Sequence, residues 1–403
     1  MRRRDFLAVS AGAALLPLSG AMAGDPAPKR LVVVMLRGAV DGLNVVVPYA
    51  EEAYYAARPT IAIARPGADD GALPLDERFG LHPALAGLLP LWRDKQLAFV
   101  HAAGSPDPSR SHFDAQFYIE SGTPGARRIA DGWMNRLLAA LPSPHPPTEA
   151  VALGEVLPQI LRGRMAAANL PLGPAAGKPL PIDRPEIADG FDRLYAGNGA
   201  LGRAWRDGRA ARAELVANMD PEQQAADNGA PRPNGLPATA ERLAHLLRQD
   251  LRIRLAFVAL GGWDTHVRQG GAKGQLADRL KPLGDGLAAF AQALGPDWQN
   301  TLVVVISEFG RTVKENGDAG TDHGHGNAIW LAGGAVRGGK VYGEWPGLAP
   351  ERLYENRDLA VTTDYRQVLA AALGRHLRLS EKALAQIFPG MPAARLDLAQ
   401  IVA

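Results

Sequence analysis

Residues 31–36, Leu-Val-Val-Val-Met-Leu, form an unbroken apolar run rich in β-branched side chains. Such a run predicts a strand buried on both faces, as in a parallel sheet. Residues 97–102, 252–260, 301–306 and 328–331 repeat the signal, and 150–153 repeats it more weakly. Helical periodicity predicts helices over about 239–250 and 276–294, with shorter ones at 113–120 and leading through 373. Alternation of helix and apolar strand predicts an α/β fold: a doubly wound, mostly parallel sheet between helix layers, joined by right-handed crossovers. From about 158 to 237 the pattern breaks. That stretch is rich in Ala, Gly, Pro and Arg, has a helical centre near 187–219, and carries the loop signal Asn-Gly-Ala-Pro-Arg-Pro-Asn-Gly at 228–235. A helical cap or insertion within one domain, 24–403, is expected.

The chain has 403 residues, 47% of them hydrophobic and 21% charged, which excludes disorder over most of its length. Arg2, Arg3 and Arg4 precede an apolar stretch too short to span a bilayer, and Ala21-Met-Ala is a small-x-small cleavage site. Arg3-Arg4-Asp-Phe-Leu resembles a bacterial twin-arginine export signal, so residues 1–23 are expected to engage that export machinery. Their removal takes three Arg and one Asp and leaves basic and acidic residues in balance. No basic excess remains to neutralise a phosphate backbone, so nucleic acid is not an expected partner. No transmembrane segment is expected in the mature chain, which would be periplasmic or extracellular. The absence of cysteine fits an oxidising destination and excludes thiolate metal sites and a cysteine nucleophile.

The remaining chemistry collects after the predicted strands, where open α/β sheets bind ligands. Arg37-Gly-Ala-Val-Asp41-Gly-Leu-Asn44 follows the first strand, Gly261-Gly-Trp-Asp264-Thr-His266 a later one, and Ser307-Glu308-Phe-Gly-Arg311-Thr the next. Thr321-Asp322-His323-Gly-His325-Gly-Asn327 follows soon after. Asp264 and His266, two apart on an extended strand end, point the same way and can reach one ion. His323 and His325 share that spacing, in a glycine-flanked loop. Glu308 leaves a buried strand, where a carboxylate is costly unless paired or metal-bound. Arg37 and Arg311 carry the fork that grips a phosphate or sulfate. In Ser105-Pro-Asp-Pro-Ser109-Arg110-Ser111-His112, Ser109 or Ser111 caps the following helix, and a helix N-terminus also favours an anion or an activated hydroxyl. Asp, Glu and His without Cys suit one or two divalent ions, Zn, Mn, Ca or Mg.

Together the stretches at 36–44, 110–116, 261–266, 307–312 and 322–327 resemble the exported bacterial family known as domain of unknown function 1501, grouped with the alkaline phosphatase and sulfatase superfamily. The resemblance covers nearly the whole mature chain. It implies a sulfatase-like α/β sandwich with metal sites at the carboxyl strand ends. Laid over this chain, it implies metal ligands at Asp41, Asp264, His266, Glu308 and Asp322-His323 or His325, and a nucleophile near Ser111 and His112. Arg110 or Arg311 would stabilise transition-state charge. The sulfatase nucleophile pattern, Cys or Ser-x-Pro-x-Arg, aligned on Pro108 and Arg110, puts Pro106 at its first position. No formylglycine can form there, which speaks against orthodox sulfatase chemistry and permits direct attack by water. The expectation is an exported metal-dependent hydrolase of phosphate or sulfate esters, with a small-molecule or glycan ester as substrate. The alternative is a non-catalytic sulfatase-like protein that binds an anionic glycan or envelope partner.

Overall fold

The computed structural model describes residues 28–127, 129–154, 156–170, 226–393 and 398–403. The expected export signal and the helical centre near 187–219 lie outside the described residues.

Nine strands build the main sheet: β1 (Arg30–Leu36), β2 (Leu97–Gly104), β3 (Ala150–Leu153), β4 (Ala168–Leu170), β5 (Leu255–Leu260), β6 (Thr301–Ser307), β7 (Asn327–Ala332), β8 (Lys340–Tyr342) and β9 (Thr363–Asp364). Their order is β8-β2-β7-β6-β1-β5-β3-β4, with β9 also paired to β2. Every pairing is parallel except those of β7, which runs antiparallel between β2 and β6. The sheet is therefore mostly parallel. The expected insertion from 158 begins differently: β4 falls inside that range and extends the sheet as an edge strand beside β3. Its flanking Gly and Pro residues hid a three-residue strand.

The unbroken apolar runs have a direct physical reason. On β1, Leu31, Val33 and Met35 point into one core, and Val32, Val34 and Leu36 into another. β5 and β6 alternate in the same way, so both sheet faces are covered. The first core lies under α1 (His112–Ser121), α2 (Trp133–Ala140), α5 (Tyr365–Leu377) and α6 (Glu381–Ile387). The second lies under α3 (Leu236–Gln249) and α4 (Gln275–Leu294). Among the described residues no helix is long and apolar enough to cross a membrane.

This topology gathers the chemical loops. Leu36 is in register with Leu260 on one side and Ser307 on the other, so the loops after β1, β5 and β6 emerge side by side. The antiparallel β7 starts at that same edge, and β2 ends there before α1. Gly38 is held at φ +109°, and a Cβ on it would lie 2.7 Å from the Asp264 nitrogen. Only glycine lets the β1 loop approach the β5 loop this closely.

Candidate metal centre

Four side chains from three loops meet at this edge. His112 opens α1, Asp264 and His266 follow β5, and His323 precedes β7. His112, Asp264 and His323 offer ligand atoms that all lie within 4.8 Å of one another. The His112 and His323 Nε2 atoms are 3.0 Å apart. Asp264 Oδ1 lies 3.6 Å from the first and 3.4 Å from the second. His266 Nε2 lies 2.9 Å from His323 Nε2 and 3.0 Å from Asp264 Oδ1. Donors about 2.0–2.1 Å from a tetrahedral ion are about 3.3–3.4 Å apart, so the mutual spacings of His112, Asp264 and His323 fit one ion.

The protons point the same way as the distances. His112 Nδ1 bonds Glu308 Oε1 at 2.8 Å, His323 Nδ1 the Arg110 carbonyl at 2.9 Å, and His266 Nδ1 Asp322 Oδ1 at 3.1 Å. Carbonyls and carboxylates only accept, so each Nδ1 carries the hydrogen. In the neutral tautomer the Nε2 lone pairs of His112 and His266 then each face that of His323 and the Asp264 carboxylate oxygen. That arrangement is repulsive unless a cation or shared protons sit among them. It is the outer-shell pattern that orients metal-bound histidines.

Glu308 is fully buried; its Oε1 accepts from His112 Nδ1, the Gly38 N–H at 2.8 Å and Gln116 Nε2 at 3.0 Å, and its Oε2 lies 3.0 Å from the Ser307 hydroxyl. Burial opposes its ionisation, but these partners hold its carboxyl down to about 2. Burial likewise opposes ionisation of Asp264; bonds from His112, His266 and His323 and the Arg311 guanidinium hold it far below the usual carboxylate range. Burial would lower the His112 pKa, yet Asp264 and Glu308 on its two sides raise it to about 9. His323 is lowered, by burial and by the neighbouring His112 and Arg311 charges, against its bond to Asp264. Phe309 packs against the rings of His112 and His323, with centroids at 4.9 and 5.1 Å.

A pH dependence follows for the ion-free protein. His112 is raised from 6.5 to about 9, so its stabilising contribution is complete below 6.5, declines above it, and is lost as pH rises through about 9. Thermal melts of chelator-treated protein should fall over that window. Metal uptake at pH 7 should release about one proton, measurable by calorimetry in two buffers of different ionisation heat.

The remaining expected site residues are placed elsewhere. Asp41 is fully buried and salt-bridged to Arg58, at 2.5 and 3.1 Å, and accepts from Gln269 Nε2 at 2.7 Å. The Arg58 guanidinium supplies the positive charge a second ion would have supplied. Asp41→Asn should therefore leave the ion content at one equivalent by elemental analysis. It should cost about 3–5 kcal/mol in urea unfolding, because a buried cation loses its partner. His325 sends Nε2 to the Ser105 carbonyl at 3.0 Å and packs on Tyr354, away from the cluster. Gly324 and Gly326 are needed less for bending than for proximity: a Cβ on either would meet the carbonyl carbon of Arg311 at 2.4 Å or the carbonyl oxygen of Leu359 at 2.7 Å.

Arg311 is fully buried, and its guanidinium holds Asp264 and the carbonyls of Gly38, Ala39, Trp263 and Thr321. All three of its guanidinium nitrogens are thus engaged within the protein. Arg110 pairs with Asp358 and Glu355, each at 2.6 Å, while its carbonyl orients His323. Ser111 is exposed and caps α1, accepting from the Asp114 N–H at 3.5 Å. Asp322 orients His266 and also accepts from Asn316 Nδ2 at 3.0 Å. Sequence reasoning assigned no role to Gln116, Phe309, Arg58 or Gln269. Gln116 and Phe309 stand inside the quoted motifs, which was the available signal; Arg58 and Gln269 had none.

Among curated proteins none matches this sequence. Solved structures of similar fold include a protein of the alkaline phosphatase superfamily from Vibrio parahaemolyticus, at 11% identity and a TM-score of 0.37, with 79% of this chain and 63% of that one covered. A second is the C-terminal periplasmic domain of EcEptC from Escherichia coli in complex with Zn, at 11% identity and a TM-score of 0.35, covering 76% and 73%. A third is the lipoteichoic acid synthase LtaP from Listeria monocytogenes, at 11% identity and a TM-score of 0.35, covering 79% and 69%. The chain thus spans under two thirds of the first of these. The model of one family, described as "Protein of unknown function (DUF1501)", matches residues 92–388, and the chain belongs to that family.

Proposed function

We propose that this protein is an exported, metal-dependent hydrolase of phosphate or sulfate esters, acting in the periplasm or outside the cell. One observation carries the reading: the Nε2 atoms of His112 and His323 and Oδ1 of Asp264 converge, with His266 Nε2 against the last two, while every Nδ1 is tied to an acceptor. His112, Asp264 and His323 would hold a divalent ion, with His266 beside them. The ion, when bound, would act as a Lewis acid toward an ester oxygen and toward water.

The chain's own residues do the rest. Glu308, Asp322 and the Arg110 carbonyl fix the three rings. Arg311 offsets the Asp264 charge, so the pocket keeps a net positive charge for an anionic ester once an ion is present. His112 is the deep ligand, with its side chain 4% exposed, whereas His266 is 28% exposed, so substrate approaches from the His266 side. Ser111, turned to its capping bond, takes no covalent part in this reading.

The second reading, a binding protein for an anionic glycan or envelope partner with a structural ion, is favoured by Pro106, which leaves no hydroxyl or thiol at the first position of the sulfatase nucleophile pattern. A panel of phosphate and sulfate monoesters, offered to protein loaded in turn with Zn, Mn, Mg or Ca, separates the two. The hydrolase reading predicts turnover that a folded Asp264→Ala variant lacks. Silence across the panel by ion-loaded protein would overturn it in favour of binding.

A further inference from the structure

We propose that Gln269 is a positioning residue for the metal centre: its side-chain oxygen clamps Thr265 and Thr321, and so sets how closely Asp264 and His266 approach His323. The inference rests on the metal centre and on no reading of what the protein turns over. Gln269 is fully buried. Its Oε1 accepts from the Thr265 hydroxyl at 2.7 Å and from the Thr321 hydroxyl at 2.8 Å, and its Nε2 donates to Asp41 Oδ2 at 2.7 Å. Asp41 fixes which way round the amide lies. Its carboxylate, paired with Arg58, only accepts, so the nitrogen faces it and the oxygen is left to the two hydroxyls. Asp41, expected as a ligand, thus serves the cluster at one remove.

Both threonines stand beside donors of the cluster. Thr265 lies between Asp264 and His266, and Thr321 two residues before His323. The Thr265 side chain goes to Gln269 while those of Asp264 and His266 go to the cluster, the alternation of an extended segment. Main-chain bonds carry the same junction. The Thr321 N–H donates to the Thr265 carbonyl at 3.1 Å, and the Gln269 N–H to the Ala319 carbonyl at 2.9 Å. Gly320 packs so closely that a Cβ on it would meet the His266 carbonyl oxygen at 2.0 Å.

The cluster supplies the reason for a clamp. His266 Nε2 and His323 Nε2 are 2.9 Å apart, and Asp264 Oδ1 lies 3.4 Å from His323 Nε2. With neutral rings and no cation these are contacts between acceptors, and they push the two loops apart. Arg311 resists through the Thr321 carbonyl and Asp264. Gln269 resists through the two hydroxyls. Thr265 and Thr321 are as buried as Gln269, so a bond lost there is not replaced by water. Donors already held in place lose less freedom when an ion arrives, which strengthens binding.

Titration of chelator-treated protein with cobalt(II), followed by visible absorption, reads both the affinity and the geometry of the ligands. Gln269→Met keeps the length of the side chain and removes the clamp. It is expected to weaken cobalt binding about tenfold or more and to shift the visible bands of the loaded protein. Thr265→Val and Thr321→Val should do the same in smaller measure. Thr265→Ser and Thr321→Ser, which keep the hydroxyl, should retain the parental affinity and spectrum. Added to Gln269→Met, neither Val substitution should weaken binding further, because the shared acceptor is already gone. If Gln269→Met fails to fold, the Val variants, close in shape to Thr, carry the test. Parental affinity and spectrum in Gln269→Met, or in both Val variants, would overturn the clamp. Weaker binding with an unchanged spectrum would overturn it too, since that marks lost stability alone. A parent protein that takes up no cobalt would overturn the metal centre and this inference with it.

Discussion

Asp264→Ala should abolish stoichiometric metal binding while the sheet stays folded. Asp264 is the anionic donor of the cluster, and its Oδ1 faces His112, His266 and His323 within 3.6 Å. Its loss leaves three neutral imidazoles and the buried Arg311 guanidinium beside any incoming cation. Unit charges about 4 Å apart at an effective dielectric constant of about 20 interact by about 4 kcal/mol, which is about a thousandfold in Kd. Competition against a chromophoric chelator measures this directly. Glu308→Gln gives the contrast. It removes only the acceptor that orients His112, and should weaken affinity about 10–100-fold. An Asp264→Ala protein that bound its ion as tightly as the parent would place the ion elsewhere.

Arg311→Leu should cause the largest loss of stability. The guanidinium is fully buried and joins Asp264 to the carbonyls of Gly38 at 2.6 Å, Ala39 at 2.7 Å, Thr321 at 3.0 Å and Trp263 at 3.2 Å. It therefore ties the loops after β1 and β5 to the one before β7. Removing one partner of a buried ion pair costs about 3–5 kcal/mol, and the stranded carbonyls add to it. The loss should be greatest in ion-free protein, where the Asp264 charge is left uncompensated, and smaller with excess metal. Urea unfolding with and without chelator reads both values. A variant as stable as the parent in chelator would show that Arg311 does not hold these loops.

Much of this arrangement is legible in the sequence, for identifiable reasons. Strands buried on both faces read as unbroken apolar runs, so β1, β2, β5, β6 and β7 stand out, as do α3 and α4 by their periodicity. Asp264 and His266 are visible as a pair because their geometry is local: two residues apart on an extended segment. His112 and His323 are visible because they stand in short polar motifs at strand ends. Partner choice is not local, and there the reading departs from the structure. Asp41 reads as a ligand, yet Arg58, from a stretch without periodicity, reaches it through the fold. His323 and His325 are equivalent in sequence; the isolated β-bridge between Arg311 and His323 brings His323 to the cluster and leaves His325 against Tyr354. Arg311 reads as an anion clamp because nothing in its motif shows the four carbonyls that surround it.

The central claim is a single ion among His112, Asp264 and His323, with His266 beside them. Elemental mass spectrometry of protein purified without added metal, and again after incubation with Zn and Mn, tests it most directly. About one equivalent of a divalent metal is predicted, since the His112, Asp264 and His323 donors surround one position and Arg58 occupies Asp41. A folded, monodisperse protein that holds no metal in either sample would contradict it.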